Sequence, residues 1–145
     1  MNNTAAESKE TKTTTRSKQN KPAKVKQTTD GRLIGWLISF GLDQGGFAYE
    51  IRSGRSLISS TSSNDKGMLT VVHKSVSSPH AALSASSEHK VLLQDIFSDC
   101  GTYIRKPKQD SEQRVTAPTE IQHGDWVRIG AETRFQVCLI DGPSR

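Results

Sequence analysis

In the stretch "SVSSPHAALSAS", Ser75–Ser86, a hydroxyl at Ser77 stands three residues before an imidazole at His80. Three readings compete for that pair: a nucleophile with its base, a phosphate-binding loop, or a turn with no chemistry. The first lacks its companions, because neither a nucleophile elbow nor an oxyanion-hole motif accompanies Ser77. A thiol enzyme built on Cys100 and His80 has no more support. His73, His80, His89 and His123 share no metal-ligand spacing, and two cysteines, Cys100 and Cys138, make neither a zinc site nor a disulfide framework. The glycines of "DQGG" are not followed by the Lys-Ser/Thr of a P-loop, so they read as a hairpin turn. No catalysis, cofactor or metal is therefore expected. What remains is a phosphate-binding loop or a turn with no chemistry, with His80 a structural residue rather than a catalyst.

Such a loop needs a rigid support, and the surrounding segments read as strands. "FAYEIRSG" sets Phe47, Tyr49 and Ile51 against Ala48, Glu50 and Arg52, the period of a half-buried strand. "RLIGWLISF", "RSLISS", "MLTVVH", "AALSAS", "KVLLQDI", "TYIRK", "DWVRIG" and "TRFQVCLI" follow the same logic, with Gly, Ser, Asn, Asp or Pro between them. No segment keeps apolar spacing of three and four for the dozen or so residues a helix needs. An all-β antiparallel sandwich is predicted. Trp36 and Trp126, inside apolar segments, are assigned to its core. Asp95 and Asp125 read as turn and capping residues.

The order of these motifs resembles a forkhead-associated (FHA) domain over residues 31–141. Ser77 and His80 match the family's Ser-x-x-His. Asp95, Ser98, Gly101 and Thr102 in "DIFSDCGT" match its Asp-x-x-Ser-x-Asn-Gly-Thr, and Gly124-Asp125 its late Gly-Asp. The resemblance implies a sandwich of about eleven strands whose loops at one end bind phosphothreonine peptides. It assigns Ser60, Ser77, Ser78, Cys100 and Thr102 to the binding loops, where Lys74 adds a nearby cation, and His80 and Gly101 to their support.

The pattern is broken where phosphate would be held. A phosphothreonine carries about −1.5 to −2 charges, and an arginine is its best partner. The family's Gly-Arg falls on Ser59-Ser60, the arginine after the binding serine is Ser78, and the asparagine before Gly-Thr is Cys100. An alternative register would use Gly54 and Arg55, at the cost of lengthening the connection to Ser77. Other nearby cations are Lys74, Arg105 and Lys106. A degenerate interaction module is expected, acting as a signalling adaptor that binds a protein partner largely without phosphate. The alternative is a weak phosphothreonine binder.

Residues 1–30 differ in composition. They hold seven of the 20 basic residues and three of the 15 acids, a net of +4, which leaves the remainder near neutrality. With no aromatic and seven threonines, this segment cannot offset the entropy of ordering its backbone, so a disordered tail is expected. Thr11, Thr13, Thr14 and Thr15 are candidate phosphosites, and once phosphorylated they would be ligands for the chain's own loops. Charge alone also permits tethering to nucleic acid or an anionic membrane, but base stacking lacks its aromatics, so nucleic acid is disfavoured. Residues 142–145 form a short C-terminal tail. No apolar run approaches the roughly 20 residues of a membrane span and no apolar signal core opens the sequence, so a cytoplasmic location is expected.

Overall fold

The computed structural model describes residues 31–62 and 67–142; the expectations for residues 1–30 and 143–145 lie outside them. Eleven strands run in chain order: β1 (Leu33–Ser39), β2 (Phe47–Arg52), β3 (Gly54–Ser59), β4 (Met68–Thr70), β5 (Ala81–Ala85), β6 (Val91–Asp95), β7 (Thr102–Arg105), β8 (Gln113–Arg114), β9 (Thr119–Ile121), β10 (Trp126–Ile129) and β11 (Thr133–Leu139). They form a six-stranded sheet, β2-β1-β11-β10-β7-β8, and a five-stranded sheet, β4-β3-β5-β6-β9. Among the described residues there is no helix. The chain folds as the expected all-β sandwich.

Alternation sets which face of each strand is covered. Val127 and Ile129 of β10, and Phe135 and Val137 of β11, are buried, and they meet Leu83 of β5 and Leu93 of β6 in one core. In β2, Phe47 and Tyr49 pack against that core and Ile51 lies within it, while Ala48 and Glu50 are exposed. Burial pushes the Tyr49 hydroxyl above its ordinary value, partly offset by a hydrogen bond with Ser56. The "DQGG" turn closes β1–β2, with Gly46 N–H donating to Asp43 O at 2.9 Å and Gly45 N–H to Asp43 Oδ1 at 2.8 Å.

Three features differ from the sequence reading. Trp36 and Trp126 are not core: each sits one residue out of phase with a buried neighbour (Leu37, Val127), on the outer face of the six-stranded sheet. β8 and β9 join the strands that alternation revealed. The pair β3–β4 is parallel, Leu57 opposite Met68, whereas the other paired strands are antiparallel.

At the base of the sandwich, a buried His89 gathers three segments. Its Nε2 accepts from Arg32 Nε at 2.7 Å and its Nδ1 donates to Ile140 O at 2.8 Å. Ile140 N–H in turn donates to Ile34 O at 2.9 Å. Both edges of the described domain, before β1 and after β11, are therefore fixed at this end.

Candidate functional site

At the opposite end, three loops converge: β3–β4, β4–β5 and β6–β7. His80 fixes their relation. Buried completely, its ring accepts at Nδ1 from Ser77 N–H (2.9 Å) and faces Gly101 O with Nε2 (2.9 Å). A lone pair at Nδ1 leaves the ring proton on Nε2, which then donates to Gly101 O. The His80 backbone extends the same grip, with N–H to Ile58 O at 2.8 Å and its carbonyl accepting from Ile96 N–H at 2.9 Å. These four bonds tie the His80 ring and backbone to the β4–β5 and β6–β7 loops and to β3, the strand that leads into the third loop.

Asp95 is the second organiser. Its carboxylate accepts from Ser98 N–H (3.1 Å), Ser98 Oγ (2.5 Å) and Thr102 Oγ1 (2.6 Å), and Ser98 Oγ accepts from Gly101 N–H at 3.0 Å. Burial acts to raise the Asp95 pKa, but hydrogen bonds from Ser98 and Thr102 outweigh it and hold the carboxyl below its ordinary value. Thr102 is fully buried in this network. The Thr102 hydroxyl, expected on the binding loops, is spent on Asp95.

Gly101 sits at φ +86°, and a Cβ there would lie 2.9 Å from the Tyr103 ring, so both backbone and space demand glycine. Gly130, at φ +71°, is equally constrained, since a Cβ would come within 2.6 Å of Ser75 O. That close approach lets Ala131 N–H donate to Ser75 Oγ at 2.9 Å, tying the β4–β5 loop to the β10–β11 turn.

On this frame Ser77 is half-buried, and its Oγ accepts from Asp99 N–H at 3.0 Å. The hydroxyl proton of Ser77 stays available to a ligand. Ser60 lies beside it, its N–H donating to Ser77 O at 3.1 Å. Where an arginine would be expected there is instead a ring of hydroxyls. Ser59 Oγ donates to Ser78 Oγ (2.9 Å), Ser78 Oγ to Thr61 Oγ1 (2.6 Å), and Thr61 N–H returns to Ser59 Oγ (3.2 Å). Cys100 and Lys74 are exposed on the same loops.

The other candidate cations are elsewhere. Arg55, second in β3 and opposite Ser84, is four residues from the Ser59 end, about 13 Å along an extended strand; the Gly54-Arg55 alternative does not bring a cation to Ser77. Lys106 pairs with the buried Asp125 at 2.8 Å, where Gln122 N–H also donates at 2.8 Å, so Asp125 is the expected turn residue with a cation added. Arg105 lies over the Trp126 ring, 5.6 Å from its centroid.

Two residues at this end were not singled out by the motif. Asp99, whose N–H bonds Ser77 Oγ, adds an exposed acidic residue to this loop. Phe97 is 99% exposed at φ +49°, a left-handed conformation unfavourable for a bulky side chain. Bonds on either side (Ile96 N–H to His80 O, Ser98 N–H to Asp95) hold it there. The only sequence signal was an aromatic residue inside a turn.

A sandwich of this topology, with a serine and a histidine-braced loop at one end, defines a class of protein-interaction module. The chain belongs to the FHA domain family, whose model matches residues 51–130. Comparison with curated proteins by sequence finds no match. Among solved structures, Mycobacterium tuberculosis EmbR in complex with a low-affinity phosphopeptide aligns at TM-score 0.60 and 18% identity, over 79% of this chain and 26% of that one. This chain thus spans about a quarter of that protein's length. The FHA domain of an Arabidopsis thaliana hypothetical protein aligns at 0.60 and 18%, over 83% and 99%. That of human APLF in complex with an XRCC1 bisphospho peptide aligns at 0.59 and 16%, over 73% and 99%. At these identities the likeness is one of fold.

Proposed function

We propose that this domain is a non-catalytic adaptor whose loop end, around Ser77, binds a protein partner largely independently of phosphate. The observation that carries the reading is the chemistry around that serine. Among the described residues, Ser77 bonds the His80 ring and the N–H groups of Ser60 and Asp99, the next residue Ser78 joins the Ser59–Thr61 hydroxyls, and Lys74 is the one cation on these loops. A dianionic group would meet a carboxylate and forgo a charge-assisted fork. A neutral or cationic polar segment would find hydroxyls, an acid and, at Phe97, an aromatic surface to cover. Loops on a rigid sandwich suit such recognition.

The discriminating experiment is capture of partners by the full chain from lysate with and without phosphatase treatment. Partners retained after dephosphorylation and lost in a Phe97→Ala or Asp99→Lys variant support the reading. Loss of every partner on dephosphorylation contradicts it. The weak phosphothreonine reading has its own support, the unspent proton on Ser77 Oγ; it requires that Ser77→Ala abolish whatever the phosphatase abolishes.

A further inference from the structure

The outer face of the six-stranded sheet carries a pattern that the loop end does not use. Strand register lays it out in two rows. Ile38, Gln136, Trp126 and Arg105 lie side by side across β1, β11, β10 and β7. One step along, Arg134, Arg128, Tyr103 and Arg114 cross β11, β10, β7 and β8. Arg128 and Arg114 lie over the Tyr103 ring at 4.0 and 5.8 Å from its centroid, as Arg105 does over Trp126. Guanidiniums stacked this way are held flat against the ring, with their N–H groups directed to partners at its edge.

Arg128 and Arg134 are directly opposite each other, an arrangement of like charges that weakens a sheet unless an anion relieves it. One carboxylate does so. Glu112, just before β8, accepts from Arg128 Nε at 3.0 Å and from its Nη2 at 2.8 Å. Arg128's hydrogen bond holds the Glu112 carboxyl below its ordinary value against the opposing effect of burial, and the fields of Arg128, Arg134 and Arg105 add to it. Arg105, Arg114 and Arg134 have no acidic partner among the described residues. Beside them runs an open groove between Ile38, Phe40, Trp126 and Gln136, with Arg134 and Glu132 at its wall. Phe40 is 66% exposed at its mouth.

We propose that this face is a second docking surface, separate from the Ser77 loops, for an acidic protein segment bearing an apolar side chain. The apolar group enters the Ile38–Phe40–Trp126 groove, and flanking carboxylates take the guanidiniums of Arg105, Arg114 and Arg134 as Glu112 takes that of Arg128. Charge selects this occupant. Residues 1–30, at net +4, and a second copy of the chain, at net +5, have the wrong sign. Single-stranded nucleic acid needs open aromatic faces for its bases, and here guanidiniums already cover Tyr103 and Trp126.

The test uses the full chain and a dye-labelled peptide of glutamates around one central phenylalanine, followed by fluorescence anisotropy across a salt series. Saturable binding that weakens with salt is expected. Arg134→Glu and Arg105→Glu should each weaken it at least about fivefold, and replacing the peptide's phenylalanine with alanine at least about tenfold. Ser77→Ala should leave it unchanged, which separates this surface from the loop end. Arg134→Gln, with an unchanged melting curve, stands in if charge reversal disturbs folding. Absence of saturable binding, indifference to both Arg134 variants, or an oligothymidine binding more tightly than the peptide would overturn the proposal.

Discussion

Installing a cation beside Ser77 is expected to convert the loop end into a phosphothreonine site. Ser60 is the place for it, because its N–H already bonds Ser77 O at 3.1 Å, so a Ser60→Arg side chain starts next to the serine. A charge-assisted bond contributes about 1.5–3 kcal/mol. Asp99→Asn removes an opposing charge: unit charges set about 6 Å apart in near-water dielectric would repel by about 0.7 kcal/mol. A phosphothreonine with about 1.5–2 charges therefore regains about 1–1.4 kcal/mol. The sum, about 2.5–4.4 kcal/mol, corresponds to about 70- to 1,700-fold in affinity. Because the two positions are neighbours and their effects will couple, the lower part of that range is expected. The assay is fluorescence anisotropy of a phosphothreonine peptide and its unphosphorylated twin against wild type, both single variants and the double. Adding Ser77→Ala to the double variant should cancel most of the gain. Tight, phosphate-dependent binding by the wild type, with Ser60→Arg changing nothing, would refute the reasoning: another group would then be serving the phosphate.

Asp95→Ala should cost about 2–4 kcal/mol in urea denaturation, since it strands the Thr102 hydroxyl and two Ser98 donors around a partly buried position. Because the folded Asp95 pKa is depressed, its contribution is fully present above the unfolded value near 3.8 and is lost as the pH falls through the folded one; Asp95→Asn should flatten stability against pH in that acid window. Phe135→Ala, in the core, should cost about 3–5 kcal/mol, whereas Trp126→Thr on the outer face should cost about 1 kcal/mol, mainly the contact with Arg105; equal losses would contradict the placement of Trp126. Phosphorylating Thr11–Thr15 in the full chain at dilute concentration should shift the amides of Ser75–Ser78 and Cys100–Thr102 only if those threonines are ligands of the loop end, and Ser77→Ala should then abolish the shifts.

What could be read from the sequence was whatever alternation or motif order encodes. Phe47, Tyr49 and Ile51 announce β2 because one face is covered, and His80, Asp95, Ser98 and Gly101 fall at spacings set by the loop frame. β8 escaped because Gln113 and Arg114 are both exposed, leaving no apolar phase to detect. The parallel β3–β4 pairing escaped because strand direction is a tertiary property. Trp36 and Trp126 were misassigned because size outweighed phase: Leu37 and Val127 beside them carry the inward positions. The hydroxyl ring depends on how closely two loops, 17–19 residues apart in sequence, approach each other, which no local pattern records.

The His89 clamp has a mechanical consequence. β1 and β11 are antiparallel neighbours, so the chain enters at Arg32 and leaves at Ile140 on the same side of one hydrogen-bonded ladder. Tension applied across those two points pulls perpendicular to the strands, along the ladder's own bonds. It would first part Arg32–His89–Ile140 and then open Gly35–Leu139 onward one rung at a time, a peeling geometry with little resistance to force. A domain held this way is a pendant, suited to hanging from a longer chain with its loops outward and ill-suited to serving as a link under load.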